Sequence, residues 1–252
     1  MRLDEFLTVR GFFDSRTKSK QAIVAGTVFI DGRKTLKPSL NIAENDNPNV
    51  KIVRVENYVS LGGYKLSKAL KDFGFSIDRM TVADIGASTG GFTDCLLQNG
   101  ASKVYAVDLN DTLLHEKLKT NNNVVRVIKN AKSLTRQDLP EIQLITADLS
   151  FISAKQVLDV FYRLLPDNGY CILLIKPQFE IGEKRNFKNG IIKDDNLRKI
   201  ACRGIYDSAI DVGFCVKNLT TAPINKDKNI EFLILFAKCN DKSKPFEDLY
   251  KF

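Results

Sequence analysis

Lys65, Asp148, Lys176 and Glu231 are the residues of this 252-residue chain best placed to move a proton. Asp148 ends the apolar run 142–147, Lys176 ends the run 171–175, and Glu231 opens the run 230–237. Lys65 precedes the helical set Leu66, Ala69, Leu70 and Phe73. If the runs are strands of one sheet, three charges gather at one edge and a helix delivers the fourth. A lone strand-end charge is usually solvated, but ligands of open α/β sheets collect beyond the carboxyl ends of the strands. Two ammonium and two carboxylate groups at such an edge titrate as one unit. They suit a reaction in which a hydroxyl must be aligned and must lose its proton.

A second constellation is the run Asp84-Ile85-Gly86-Ala87-Ser88-Thr89-Gly90-Gly91-Phe92, preceded by Met80, Val82 and Ala83 and followed by Cys95 and Leu96. It reads as strand, glycine turn, helix. Glycines there allow positive φ and close approach of a ligand, and the helix start offers unpaired N–H groups. Asp108 ends the next strand candidate, where an acidic residue can bind ribose hydroxyls. The turn is not G-x-G-x-x-G, because Ser stands at 88, and it lacks the lysine of a phosphate loop, because Phe92 stands there. S-adenosylmethionine fits these residues: it has a ribose, an amino-acid tail and no phosphate. The expected cradle is Asp84, Gly86, Ala87, Ser88, Thr89, Gly90, Gly91 and Phe92, with Asp108 at the ribose and Asn130 near the adenine.

The elements that must position these groups follow from periodicity. Strand candidates at 82–85, 103–107, 124–128, 142–147, 170–175, 214–220 and 230–237 alternate with helical patterns until the last pair. Alternation implies a doubly wound, mostly parallel seven-stranded sheet, and the short Pro223-containing link permits an antiparallel last strand. Ahead of it, Leu3, Phe6 and Leu7 recur at helical spacing. Ser15 is a candidate N-cap for a second helix carrying Ala22 and Ile23 and stopped by Gly26. Val28 and Ile30 then lead into Asp31-Gly32, a tight-hairpin dipeptide. Asn45 to Pro48 form a turn cluster and 50–55 a returning strand. The expected division is a small α+β domain over 1–58, a linker over 59–64, and an α/β domain over 65–252.

Composition narrows the partner. The formal charge is +8, the pI is near 9.1, and basic residues crowd the first 37 positions, which favours a polyanion. The five cysteines form no C-x-x-C pair and His115 is the only histidine, so no metal site is expected. Cys95 and Cys171 lie in apolar patterns, as reduced core thiols of a cytoplasmic protein would. Neither a signal peptide nor a membrane span is expected, because Arg2, Asp4 and Glu5 open the chain and the run 170–175 is short.

Longer motifs carry a family resemblance. R-L-D-x-x-L at 2–7, S-R at 15–16, A-G-x-V at 25–28, D-G at 31–32 and K-P at 37–38 resemble the S4 RNA-binding domain. Lys65, Asp148, Lys176 and Glu231 match the Lys-Asp-Lys-Glu tetrad of FtsJ-like ribose 2′-O-methyltransferases. D-I-G-A-S-T-G-G-F-T at 84–93, A-D-L-S-F-I-S at 147–153, K-P-Q-F-E at 176–180 and N-I-E-F at 229–232 resemble the TlyA family. The resemblance implies a class I, Rossmann-like S-adenosylmethionine-dependent methyltransferase acting on a cytidine ribose of ribosomal RNA. It also implies phosphate contacts from Arg2, Arg16, Lys37 and Lys132. Leu61 stands where longer members carry an arginine, and the short C-terminus points to the large subunit as substrate. A monomer is expected. The rival readings are an inactive RNA-binding assembly factor and a membrane-active haemolysin.

Overall fold

The computed structural model describes residues 1–13, 15–24, 27–43, 47–52, 57–181, 190–223 and 228–252, with Gln21 as backbone alone. The chain divides into two compact units, Met1–Asn57 and Tyr58–Phe252.

In the first unit, α1 (Leu3–Val9) and α2 (Arg16–Val24) pack with three short strands, β1 (Val28–Ile30), β2 (Arg33–Lys34) and β3 (Val50–Ile52). Ser15 caps α2, its Oγ accepting from the Lys18 amide at 3.3 Å. The hairpin between β1 and β2 turns on Asp31 and Gly32, with φ of 50° and 77°, the paired positive angles a two-residue turn needs. β3 pairs with the other side of β1. Leu3, Phe6, Leu7, Ile23, Val28 and Ile42 form the core. The expected stop at Gly26, Asn45 and Asp46 of the turn cluster, and residues 53–55 of the returning strand lie outside the described residues.

The second unit opens with α3 (Leu61–Phe73) and β4 (Thr81–Ile85), followed by α4 (Gly91–Gln98), β5 (Lys103–Asp108), α5 (Glu116–Lys119) and β6 (Val124–Ile128). Then come β7 (Leu144–Ala147), α6 (Leu158–Leu164), β8 (Tyr170–Ile175), α7 (Pro177–Glu180), α8 (Asp195–Val212), β9 (Cys215–Thr221), β10 (Phe232–Ala237) and α9 (Phe246–Leu249). All seven expected strands are present, in the sheet order β6-β5-β4-β7-β8-β10-β9. Strand order reverses beside β4, which opens a crevice at its carboxyl end. β10 runs antiparallel to both neighbours, as the short link allowed. Leu173, Leu174, Ile234 and Leu235 show why these strands read as continuous apolar runs: both faces of the sheet are covered by helices. The five cysteines are free thiols, four of them buried.

Residues 61–64 are corrected from linker to helix, since α3 starts at Leu61. Gly62 and Gly63 are poor helix formers, which makes the segment read as a break. Their role is contact. A Cβ at Gly63 would lie 2.2 Å from the Tyr58 ring, and one at Gly91 would lie 2.9 Å from the Gly63 amide nitrogen. The two helices therefore meet backbone to backbone, and Asp94 locks the approach. Its buried carboxylate accepts from the Val59 amide at 3.0 Å and pairs with Lys117 at 2.8 Å.

Gly91→Ala should force α3 and α4 apart. We expect a loss of about 1–3 kcal/mol, read as a lower urea midpoint at unchanged slope.

Candidate active site

The crevice at the strand ends is a cleft of about 440 Å³ lined by the turn after β4, the ends of β5 and β6 and the loop after β7. Its walls carry Ile85, Val107, Leu113, Ala131 and Leu149 for an apolar ring, and Ser88, Asp108 and Asn130 for polar groups. Asp108 is half-buried at the rim, where one oxygen accepts from the Ser88 amide at 2.8 Å and the other from the Leu109 amide at 2.7 Å. Those bonds fix the carboxylate, and its spare lone pairs can still accept hydroxyls. Asn130 accepts from the Lys132 amide at 2.9 Å, so its side chain is a cap that also faces the cleft.

The expected cradle separates into a surface and its support. Gly86, Ser88, Asp108 and Asn130 line the cleft. Gly86 has φ of 84°, and a Cβ there would lie 2.5 Å from the Asp148 carbonyl oxygen. Ala87 and Gly90 pack against Leu114 and Leu118, and the Thr89 carbonyl accepts from the His115 amide at 3.3 Å. Gly91 and Phe92 belong to the α3–α4 contact and its core.

Asp84 is placed beneath the turn, not in the cleft. It is fully buried, accepting from Thr93 Oγ1 at 2.6 Å and from Thr146 Oγ1 at 3.2 Å. Burial pushes its carboxyl up to about 7, with nearby Asp148 adding repulsion and the two threonines opposing.

The four strand-end charges come together as two ion pairs. Lys176 Nζ lies 2.6 Å from Asp148 Oδ1, and Lys65 Nζ lies 2.6 Å from Glu231 Oε2. Their side chains are 11–24% exposed, so water screens them only in part. Pairing of Phe232 with Ile175 sets the pairs side by side, since Glu231 and Lys176 are the next residue on each strand end. Asp148 belongs to both the tetrad and the cleft wall. Lys65 lies inside α3, one turn from its start, which lets its side chain reach back to the sheet edge.

Three residues near the tetrad escape a reading by strand ends. Ser150 Oγ accepts from Lys176 Nζ at 2.7 Å. Phe151 is 89% exposed with φ of 68°, an unfavourable conformation for a bulky residue, and its ring lies 5.6 Å from that of Phe179. Glu180 accepts from Ser153 Oγ and the Ala154 amide at 2.6 and 2.8 Å, fastening the K-P-Q-F-E segment to the A-D-L-S-F-I-S loop. An apolar residue in a polar strand-end loop was the one available signal, and Phe151 carried it.

In the first unit, Arg2 and Arg16 both bind Asp4. Arg2 donates to it at 3.1 Å and Arg16 at 3.3 Å, while both guanidinium groups stay about half exposed. The Arg2 hydrogen bond leads in holding the buried Asp4 carboxyl below its usual range, against its burial. Lys37 is exposed on the same unit. Lys132 lines the cleft of the second unit and donates to Gln156.

Residues 58–238 match the model of FtsJ-like methyltransferases, and residues 1–47 match that of the S4 domain. Hemolysin A of Brachyspira hyodysenteriae is 40% identical, over 94% of this chain and 99% of that protein. The 23S rRNA (cytidine-2′-O)-methyltransferase TlyA of Campylobacter jejuni is 31% identical, over 94% of this chain and 100% of that protein. A solved protein of Streptococcus thermophilus is 36% identical, covers 97% of this chain and 90% of its own, and superposes with a TM-score of 0.70.

Asp84 makes stability depend on pH. Its folded-state value near 7 exceeds the unfolded carboxylate value, so the folded chain holds a proton that the unfolded chain has lost. This contribution is fully present below about pH 4, declines as pH rises, and is gone above about pH 7, a span of roughly 4 kcal/mol. Asp84→Asn, neutral throughout, should flatten that part of the stability profile in urea titrations between pH 4 and 8. An unchanged slope would mean that Asp84 is ionised in its buried site.

Proposed function

The chain belongs to the FtsJ-like methyltransferases, in their TlyA group with an N-terminal S4 domain, and from that premise we propose its reaction. It transfers a methyl group from S-adenosylmethionine to a cytidine ribose 2′-hydroxyl of ribosomal RNA. The observation that carries the reading is the pair of ion pairs, Lys176–Asp148 and Lys65–Glu231, standing at the lip of a nucleoside-sized cleft. The large-subunit RNA is the favoured substrate. The Campylobacter relative, named for 23S rRNA, aligns over its whole length.

When bound, S-adenosylmethionine supplies a methyl group activated by a positive sulfur, which keeps the carbon–sulfur electron pair. Asp108 would hold the ribose hydroxyls, the backbone at Gly86 and Ser88 the amino-acid tail, and Asn130 with the apolar walls the adenine. Lys176 as free amine accepts the proton of the attacking 2′-hydroxyl and becomes an ammonium facing Asp148. Glu231 restrains Lys65, whose charge sits near the developing alkoxide. Lys176 is taken as the acceptor by its position, beside Asp148 and Ser150 of the cleft wall. Exposed Phe151 and half-buried Phe179 form an aromatic surface beside Lys176 on which an unstacked cytosine can lie.

Arg2 and Arg16, aimed by Asp4, and Lys37 supply phosphate contacts from the S4 domain, and Lys132 supplies one beside the cleft. Such contacts orient RNA and leave base identity to the active site. A monomer working in the cytoplasm, where ribosomes are, completes the proposal. The name of the Brachyspira relative raises membrane lysis as a second reading. Among the described residues no helix is long and apolar enough to cross a membrane.

Labelled methyl transfer to each ribosomal subunit from cells lacking the protein should mark the large subunit, and Lys176→Ala should abolish it, a drop of at least roughly 100-fold. If neither subunit were labelled while the protein still bound RNA, an assembly factor would replace the enzyme. Arg16→Ala should weaken RNA binding and make log K against log salt shallower by about 0.7–0.9; an unchanged slope would remove Arg16 from the phosphate contacts.

A further inference from the structure

Lys176 has two neighbours that do different things. Asp148 Oδ1 lies 2.6 Å from Nζ, yet this buried oxygen takes no hydrogen bond of good geometry, so the contact is one of charge rather than direction. Ser150 Oγ, at 2.7 Å, is the hydrogen-bond partner of Nζ among the described residues. The Phe179 ring, 6.0 Å from Nζ, closes another side without accepting a directed bond.

We propose that Ser150 is a positioning residue that aims the Lys176 nitrogen lone pair at the ribose hydroxyl. A free amine has two N–H bonds and one lone pair in a tetrahedral arrangement, and rotation about Cε–Nζ moves them together. A carboxylate that attracts without direction leaves that rotation free. One N–H held on Ser150 Oγ restricts it, and with the second N–H drawn to the Asp148 charge the lone pair takes the one position left, beside the cleft wall that Ser150 and Asp148 both form. The backbone is built for this. Phe151 adopts its left-handed conformation immediately after Ser150, so the chain reverses there, with the hydroxyl on Lys176 and the phenyl ring in solvent. When the 2′-oxygen bonds to the methyl carbon, its proton and the lone pair of Lys176 form the third N–H bond. The resulting ammonium keeps its hydrogen bond to Ser150 and its charge contact with Asp148.

The inference rests on the methyltransferase reading, and one set of assays separates the two. Ser150 is exposed, so its truncation leaves no cavity. Ser150→Ala should lower single-turnover methyl transfer roughly ten-fold, the size of one directed hydrogen bond. The KM for the subunit, and the affinities for RNA and for S-adenosylhomocysteine measured by titration calorimetry, should stay at wild-type values. Ser150→Thr, which restores the hydroxyl, should recover most of the rate. A wild-type rate in Ser150→Ala, or a loss that appears in KM or in either affinity, overturns the positioning role while leaving the enzyme in place. Absence of transfer by the wild-type protein to either subunit overturns both.

Discussion

The reversed strand β10 is the constraint on which the site depends. Six of the seven strands run the same way and can bring only their carboxyl ends to the ligand edge, and three of them supply Asp108, Asp148 and Lys176. Asp148 meets Lys176 from the carboxyl end of β7, and a carboxylate on the other side of Lys176 comes from a strand that starts at that edge. β10 does so between β8 and β9, and its register brings Glu231 level with Lys176. Once Glu231 is there, α3 must pack where Lys65 can reach it, and the glycines of α3 and α4 allow that packing.

Three buried carboxylates hold the framework in three ways. Asp94 accepts a backbone amide and a lysine, and so ties the entry of the second unit to α4 and α5. Asp4 holds two arginines whose outer faces stay in water, which orders cationic side chains that would otherwise sample many rotamers. Asp84 meets no cation among the described residues; the Thr93 and Thr146 hydroxyls and the Thr93 backbone bond to it, and it responds by holding its proton. The difference follows from what each can reach. A carboxylate near a flexible cation stays charged, while one sealed between a sheet and a helix start is cheaper to neutralise.

How much of this was legible in the sequence depended on the range of the interaction. Strand periodicity, the Asp31-Gly32 hairpin and the Ser15 cap are local, and each matches its element. The tetrad was legible as four charges at one edge, because strand ends fix that edge. Which lysine meets which carboxylate was not, because pairing is set by the register between β8 and β10 and by the position of α3. Asp84 reads as a cradle residue by proximity to the glycines, but strand alternation turns it under the turn. The glycines at 62 and 63 misread as a linker for the same reason: their use lies in contacts with Tyr58 and Gly91, distant in sequence or absent from any local pattern.

The contact between Gly86 and Asp148 couples two parts of the cleft wall. The carbonyl of Asp148 occupies the space where any side chain at position 86 would begin. The cleft wall at Gly86 and the loop after β7 are thus interlocked parts, like a mortise and its tenon, and neither can drift by itself. Substitution at 86 displaces the loop that carries Asp148, and a shifted loop reshapes the cleft wall. A change in the shape of the cleft that leaves the joint intact has to be made at lining residues away from it, such as Leu109, Leu113 and Ile152.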